Sequence, residues 1–77
     1  MTDAKLDDIV ERTIRSMVTS GLPAYTHRVI ERLPIEARHV GRKRIAASFT
    51  RLWDAGHIRE SHQDNPNATT YRPEVRP

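Results

Sequence analysis

Basic side chains are concentrated in the middle of this chain, and their chemistry suits an anionic partner. Residues 37–53 contain no acidic residue and include Arg42, Lys43, Arg44 and Arg51. A guanidinium group grips phosphate or a guanine edge with two hydrogen bonds, and an ammonium group pairs with phosphate as a compact charge. The stretch therefore predicts a cationic surface that binds phosphates or bases.

A helix is expected to carry these cations, because Ile45, Phe49 and Leu52 are spaced i, i+4 and i+7 and so share one buried face. The residues of this helix expected to contact DNA are Arg42, Lys43, Arg44, Ala46, Ala47, Thr50 and Arg51. The two alanines are small enough to let the helix backbone approach base edges, and the threonine suits a base or a thymine methyl group. The alternative interpretation is a solvated charged face that binds nothing.

An amphipathic first helix is expected from Asp3 to Ser20. Its apolar residues recur at helical spacing and are Leu6, Ile9, Val10, Ile14 and Met17. Thr2 or Asp3 can cap its start, and Gly21 followed by a proline stops it.

A second helix is expected over about His27–Leu33, after an extended link from Leu22 to Thr26. Thr26 is expected to cap this helix, and Pro34 ends it, because proline disfavours helical geometry at the preceding residue. Arg28 lies at the amino end of the helix, where its side chain and the backbone donors together suit a phosphate. Two helices joined by a short turn indicate a helix-turn-helix.

The segment between the second helix and the cationic helix allows two arrangements. Either the third helix starts near Glu36 and contains Gly41, or a short helical piece within Ile35–Val40 precedes a third helix that starts at Gly41 or Arg42. The second arrangement is favoured, because an interior glycine costs about 1 kcal/mol relative to alanine.

Two strands are expected after Gly56, over His57–Gln63 and Thr69–Arg72. Between them lies Asp64–Ala68, a cluster of turn-forming residues, so the pair predicts a β-hairpin with a polar tip. Pro73 is expected to end the second strand or to place it at an edge, and residues 74–77 are expected to form a loose tail. The fold class is therefore mainly α with a small antiparallel β-hairpin, in one domain over residues 1–77 with an ordered core of about 4–73.

The order of helix, extended link, helix, helix and hairpin resembles the winged helix-turn-helix domain of bacterial and phage regulators. The run Phe49–Arg59 is similar to that family's recognition-helix end, followed by Ala-Gly and a hydrophobic residue that opens the wing. The run Asn67–Arg72 is similar to the returning wing strand, in which a Thr-x-Tyr-Arg pattern is frequent. The resemblance covers roughly residues 5–73 and implies a three-helix winged helix-turn-helix.

This resemblance also implies how the domain would bind double-stranded DNA. The third helix would enter the major groove, and the wing would reach the minor groove or its phosphates through Arg59, Asn67 and Arg72. A tip rich in Asn and Pro is equally what any exposed turn requires, so that interpretation stays open. Two features depart from the family pattern, namely the long turn before Gly41 and Trp53, where the family usually carries a solvent-facing polar residue.

Trp53 has two interpretations, since it falls about 80° from Ile45 on a helical wheel, at the margin of the buried face. Either it packs beneath the wing or the first helix, or it anchors a dimer or a protein partner, for which tryptophan is favoured. The protein-interface candidates are Trp53 and Met17 of the first helix.

Composition excludes several kinds of site. The chain has no cysteine, so disulfides, thiolate metal sites and cysteine nucleophiles are excluded. The histidines are His27, His39, His57 and His62, and none pair at the i, i+4 spacing of two helical ligands, so no metal is expected. No glycine-rich phosphate loop or nucleophile motif occurs, so we expect no enzyme activity, cofactor or small-molecule substrate. A cytoplasmic protein without a membrane partner is expected, because no long apolar run or secretory signal is present.

The sequence thus predicts a sequence-specific double-stranded DNA-binding protein of prokaryotic or phage type, acting in transcription regulation. One module touches few base pairs, so a homodimer on two half-sites is part of this hypothesis. The competing hypothesis is a winged-helix module that binds a protein, such as a phage or plasmid product engaging host machinery or a subunit of a larger complex.

Overall fold

The chain is mainly helical in a computed structural model that describes residues 1–22, 24–61 and 70–73, with residues 59–61 and 70–73 described by their backbone. The mainly α class is therefore confirmed. In chain order the elements are α1 (Asp3–Thr19), β1 (Ala24–Tyr25), α2 (Thr26–Arg32), α3 (Ile35–Arg38), α4 (Arg42–Asp54), β2 (Ile58–Ser61) and β3 (Thr70–Pro73). The predicted tail of residues 74–77 and the predicted tip Asp64–Ala68 lie outside the described residues.

Helix α1 supplies one side of the core. Thr2 caps it, because its Oγ1 accepts a hydrogen bond from the Lys5 backbone N–H at 3.2 Å. The buried residues of this helix are Leu6, Val10, Ile14 and Met17. Their spacing of four, four and three residues keeps them on one face, as expected from the sequence.

Met17 is only 2% exposed and lies in the hydrophobic core. Its side chain is therefore not available to a partner, and its assignment as an interface residue is wrong. The sequence pattern had placed it on the apolar stripe of α1, and the chain itself buries four members of that stripe, Met17 among them, and buries Ile9 in part. Trp53, by contrast, is 42% exposed and is not part of this core.

Helix α2 follows β1 without an intervening turn. Thr26 is its first helical residue rather than its cap, which corrects the prediction. The reason is that Tyr25 belongs to a strand and pairs with Thr70 of β3, so the chain passes directly from extended to helical geometry. Leu33 ends the helix with a ψ of 144°, the extended geometry favoured before Pro34.

The segment between α2 and α4 adopts the second of the two predicted arrangements. A four-residue helix, α3, precedes a separate helix that begins at Arg42. Gly41 lies between them with φ 96° and ψ 156°, a conformation that residues with a Cβ rarely adopt. Gly56, with φ 75°, ends α4, and the His57 N–H then donates to the Leu52 carbonyl at 2.8 Å.

Strand β3 pairs antiparallel with both β1 and β2. The β2 register runs from Ile58 opposite Pro73 to Ser61 opposite Thr70. The pairing of β1 was not expected, since residues 22–26 had been interpreted only as an extended link. Residues 62–69 lie outside the described residues, so the hairpin that would join β2 to β3 stays a prediction.

The remaining core residues of the described chain come from α2 and the residue that follows it, and from α3, α4, β1 and β2. It consists of Ala24, Val29, Leu33, Ala37, Ile45, Phe49, Leu52 and Ile58, together with the four residues of α1. Helix α1 packs directly against α4. This contact determines which side of α4 remains exposed.

Gly41→Ala should lower the free energy of unfolding by about 1–3 kcal/mol, because a residue with a Cβ is strained in this backbone conformation. Space is not the cause, since a Cβ at Gly41 would meet nothing within 4 Å. Urea unfolding followed by circular dichroism measures the change. Ser20→Ala is the control, because Ser20 has an ordinary φ of −83°, and its change should stay within about 0.5 kcal/mol. Equal stability of the Gly41 variant and wild type would contradict the strained geometry.

Candidate nucleic-acid interface

The buried side of α4 includes a polar residue that sequence reasoning missed. Ser48 is fully buried, and its Oγ donates to Asp7 Oδ1 of α1 at 2.6 Å. Burying a hydroxyl is unfavourable unless it is hydrogen-bonded, and this contact satisfies it. Ser48 therefore fixes α4 against α1 in one rotational setting.

Arg51 is held by the same carboxylate. Its Nε donates to Asp7 Oδ2 at 2.9 Å and its Nη2 donates to Asp7 Oδ1 at 2.7 Å, a bidentate arrangement. The hydrogen bond from Arg51 lowers the pKa of the Asp7 carboxyl below its ordinary value, against the opposing effect of burial, and Ser48 lowers it further. Asp7 in turn raises the pKa of Arg51. The prediction that Arg51 faces DNA needs correction, because its side chain lies on the α1 side of the helix.

Arg44 also turns toward α1, but its contacts are looser. Its Nη2 donates to the Met1 carbonyl at 2.7 Å and to Asp3 Oδ1 at 3.1 Å. The Arg44 and Asp3 side chains are 40% and 64% exposed. Ion pairs of such exposure contribute about 0.2–1 kcal/mol. The structure thus places Arg44 on the flank of α4 rather than on its outer side.

The carboxylates on α1 form an acidic row, defined by Asp3, Asp7 and Glu11 at i, i+4 and i+8. Glu11 Oε1 lies 3.2 Å from His57 Nδ1, just beyond the carboxyl end of α4. Residues 37–53 contain no acid of their own, but carboxylates of α1 compensate Arg44 and Arg51. The compensating acids are distant in sequence, and their helical spacing beside the apolar stripe of α1 is the signal that could have revealed them.

The outer face of α4 is defined by the exposed residues from its first turn to Thr50, which are Arg42, Lys43, Ala46, Ala47 and Thr50, and the exposed Trp53 and Asp54 follow in its last turn. Neither Arg42 nor Lys43 has an ion-pair partner among the residues that the structure describes. The Thr50 hydroxyl donates to the Ala46 carbonyl at 3.2 Å. The centre of this face is therefore small and its amino end is cationic.

Further cations are exposed before α4. Arg28 lies in α2, as expected, and sequence reasoning missed Arg32 in α2 and Arg38 in α3. With Arg42 and Lys43 they make up the unpaired cations of residues 28–43, which form no ion pair within the described part of the chain. The charge density of residues 28–43, with five of these side chains against Glu31 and Glu36, is the signal that could have found them.

The predicted wing residues are only partly placed. Arg59 and Arg72 are directly opposite one another in the β2–β3 register. Asn67 lies outside the described residues. Contacts of all three with DNA stay a prediction.

No protein-family model, curated protein or solved structure matches this chain. Within the described ranges, no group of three or more histidine or acidic residues is arranged to hold a metal ion. None of the helices in those ranges combines the length and apolarity needed to cross a bilayer. What these residues do offer a partner is the outer face of α4 together with the unpaired cations.

Asp7→Asn should lower the free energy of unfolding at pH 7 by about 1–2 kcal/mol, because charge-assisted hydrogen bonds are lost at a partly exposed site. The folded-state pKa of Asp7 lies below 3.8, so the carboxylate stabilises the fold above that pH. This contribution is lost as the pH falls through the folded-state pKa. Urea unfolding across acid pH should show the difference between wild type and variant shrinking in that direction.

Asp8→Asn is the matched control for this prediction. Asp8 pairs only with Arg12 among described residues, at 3.2 Å, and the two side chains are 54% and 79% exposed. Its change should stay within about 0.5 kcal/mol. An equal loss in both variants would mean that Asp7 acts through general charge and not through its contacts with α4.

Proposed function

We propose that this protein is a small, sequence-specific winged-helix DNA-binding protein of prokaryotic or phage type that acts as a transcriptional regulator in the cytoplasm. Helix α4 would enter the major groove with its outer face toward the bases. The observation that carries this proposal is the division of charge around α4. Arg44 and Arg51 are bound by carboxylates of α1, whereas Arg42 and Lys43 are exposed without such partners among the described residues.

The division matters because phosphate is attracted by cations that no carboxylate already neutralises. Arg42 and Lys43 stand in the first turn of α4, where the helix dipole adds a partial positive charge. An anion is therefore favoured at this end of the helix. Arg28, Arg32 and Arg38 extend the positive potential into α2 and α3.

The shape of the outer face supports entry into a groove. Ala46 and Ala47 have side chains short enough for the helix backbone to come near base edges. The Thr50 hydroxyl donates its hydrogen bond within the helix, to the Ala46 carbonyl. Its methyl group is therefore the part that would contact a base. Base contacts from this face would be made by small groups, and positioning would come from the cations at its amino end.

The arrangement of elements supports the winged-helix assignment. A strand precedes α2, and two antiparallel strands follow α4, with β3 paired to both of the others. A wing formed by β2 and β3 would stand beside the carboxyl end of α4. Arg59, Asn67 and Arg72 would then contribute contacts to the minor groove or its phosphates, as the sequence resemblance implies.

Replacing Arg42 and Lys43 together by alanine should weaken binding to a random-sequence duplex and flatten its salt dependence. Each lost phosphate contact reduces the slope of log affinity against log salt by about 0.9, so the double variant should lose roughly two units. Fluorescence anisotropy of labelled duplex between about 50 and 200 mM salt measures the slope. Neither side chain has an ion pair in the described structure, so the fold should persist.

The matched control is Lys5→Ala with Arg12→Ala, which removes the same two side-chain types from exposed positions on α1. Its slope should equal that of wild type. Equal slopes for both double variants would refute α4 as the interface, and absence of wild-type binding at low salt would refute DNA binding altogether.

A second candidate function rests on the exposure of Trp53 at the carboxyl end of α4. Large aromatic side chains of this exposure are favoured anchors of protein interfaces. In this hypothesis the domain is a protein-binding module, and a second copy of the chain is the partner that can be tested directly.

Under this hypothesis, Trp53→Ala should convert a concentration-dependent dimer into a monomer, because the anchor side chain is removed. Sedimentation velocity over a range of concentrations measures the change. Val18→Ala is the control, since Val18 is 39% exposed on α1 and also loses apolar surface. A wild-type protein that stays monomeric throughout would count against self-association through Trp53, and equal dimerisation of all three proteins would place the contact elsewhere.

A further inference from the structure

The two arginines that α4 directs toward α1 are held in different ways. Arg51 uses two nitrogens to bind both oxygens of Asp7, and the Ser48 hydroxyl, itself fully buried, binds the same carboxylate. Arg44 uses Nη2 alone for its contacts with Asp3 and the Met1 carbonyl. One arginine is fixed in the helix interface, and the other is tethered at its edge.

We propose that Arg44 is an additional phosphate contact of α4, and that Asp3 regulates this contact by competing with phosphate for its guanidinium group. The proposal rests on the DNA-binding function proposed above. It assigns Asp3 as a built-in competitor that weakens binding to DNA. Asp7 has no such role, because its contacts are part of the fold.

The position of Arg44 supports a phosphate contact. It follows Arg42 and Lys43 directly in the first turn of α4, so it belongs to the same cationic helix end. A guanidinium group carries five N–H donors, and the contacts with Asp3 and Met1 occupy only the Nη2 group. Phosphate can therefore approach the remaining donors without displacing a buried group.

The exposure of Asp3 explains why a phosphate can take its place at the Arg44 guanidinium group. Its side chain is 64% exposed, against 22% for Asp7, and its Oδ1 lies 3.1 Å from Arg44 Nη2 and 3.9 Å from Arg51 Nη2, which Asp7 binds more closely at 2.7 Å. Exposed pairs gain little, because water and salt screen their attraction. Duplex DNA offers a dense row of phosphates, so in the bound wild-type protein Arg44 is shared between phosphate and Asp3. Release of Asp3 leaves α1 in place, since Asp7 and Ser48 still connect α1 to α4.

Asp3 also acts on DNA through its own charge. While it lies beside Arg44, a carboxylate stands at the cationic end of α4 and repels an approaching phosphate. Removing that charge should strengthen binding and complete the contact of Arg44 with phosphate. Asp8, on the same helix, pairs with Arg12 and lacks a contact with α4 among the described residues, so it provides the comparison.

The experiment measures duplex binding against salt for Asp3→Asn and Asp8→Asn, each with Arg44 present and with Arg44→Ala. Asp3→Asn should raise affinity about two- to five-fold at low salt and steepen the log–log slope by up to about 0.9. Asp8→Asn should leave the slope unchanged. In the Arg44→Ala background, Asp3→Asn should no longer steepen the slope, because the guanidinium group that it releases is absent. Thermal unfolding of each variant verifies that the fold persists.

The outcomes separate this inference from the function on which it rests. If the wild type binds with a salt-dependent affinity but Asp3→Asn and Asp8→Asn behave alike, the competition is refuted and DNA binding stands. A slope increase that persists without Arg44 also refutes it, because the effect would then come from general charge. If the wild type binds no duplex at low salt, the proposed function and this inference both fail.

Discussion

The contact of Asp7 with Ser48 and Arg51 is the constraint on which the orientation of α4 depends. Hydrophobic packing of Ile45, Phe49 and Leu52 holds α4 against α1 but is not directional, so it specifies a broad face of the helix. A bidentate guanidinium pair and a buried hydroxyl are directional, because their geometry is restricted. Together they select the rotation of α4 that leaves its small and cationic residues in solvent.

The two glycines that flank α4 set where this helix begins and ends, and so which residues lie in its first turn. Gly41 separates α4 from α3, so the helix starts at Arg42 and its first turn carries three consecutive cations. A continuous helix from Glu36 would have placed those cations inside a longer element, away from the positive end of its dipole. Gly56 then turns the chain toward β2, where the strand pairing begins two residues later. The boundaries of α4 and its rotation are therefore set by separate features of the chain.

The helices were largely predictable from sequence because their signals are local. Apolar spacing identified α1, and the cost of an interior glycine favoured the observed break at Gly41. The side chains facing α1 were not predictable from the same pattern, because Arg51 looks like any exposed cation until its distance to Asp7 is known. A helical wheel gives angles about one axis, whereas ion pairs between helices depend on two axes and their separation. For the same reason, the sequence alone does not distinguish Arg32 and Arg38, which have no ion pair among the described residues, from Arg44 and Arg51, which are paired.

The charge that a partner meets is thus not the net charge of the chain. The formal net charge is only +3, which by itself indicates weak attraction for nucleic acid. Three carboxylates of α1, however, face α4 or the residue beyond it and are occupied by internal contacts. Electrostatic influence between exposed groups falls off over about 8–10 Å in physiological salt, so Asp7 and Glu11, on the side of α4 that faces α1, weaken the field at its outer face less than Asp3 does at its amino end. A phosphate approaching that face would respond to Arg42, Lys43 and their neighbours, and the local potential there exceeds what the composition suggests.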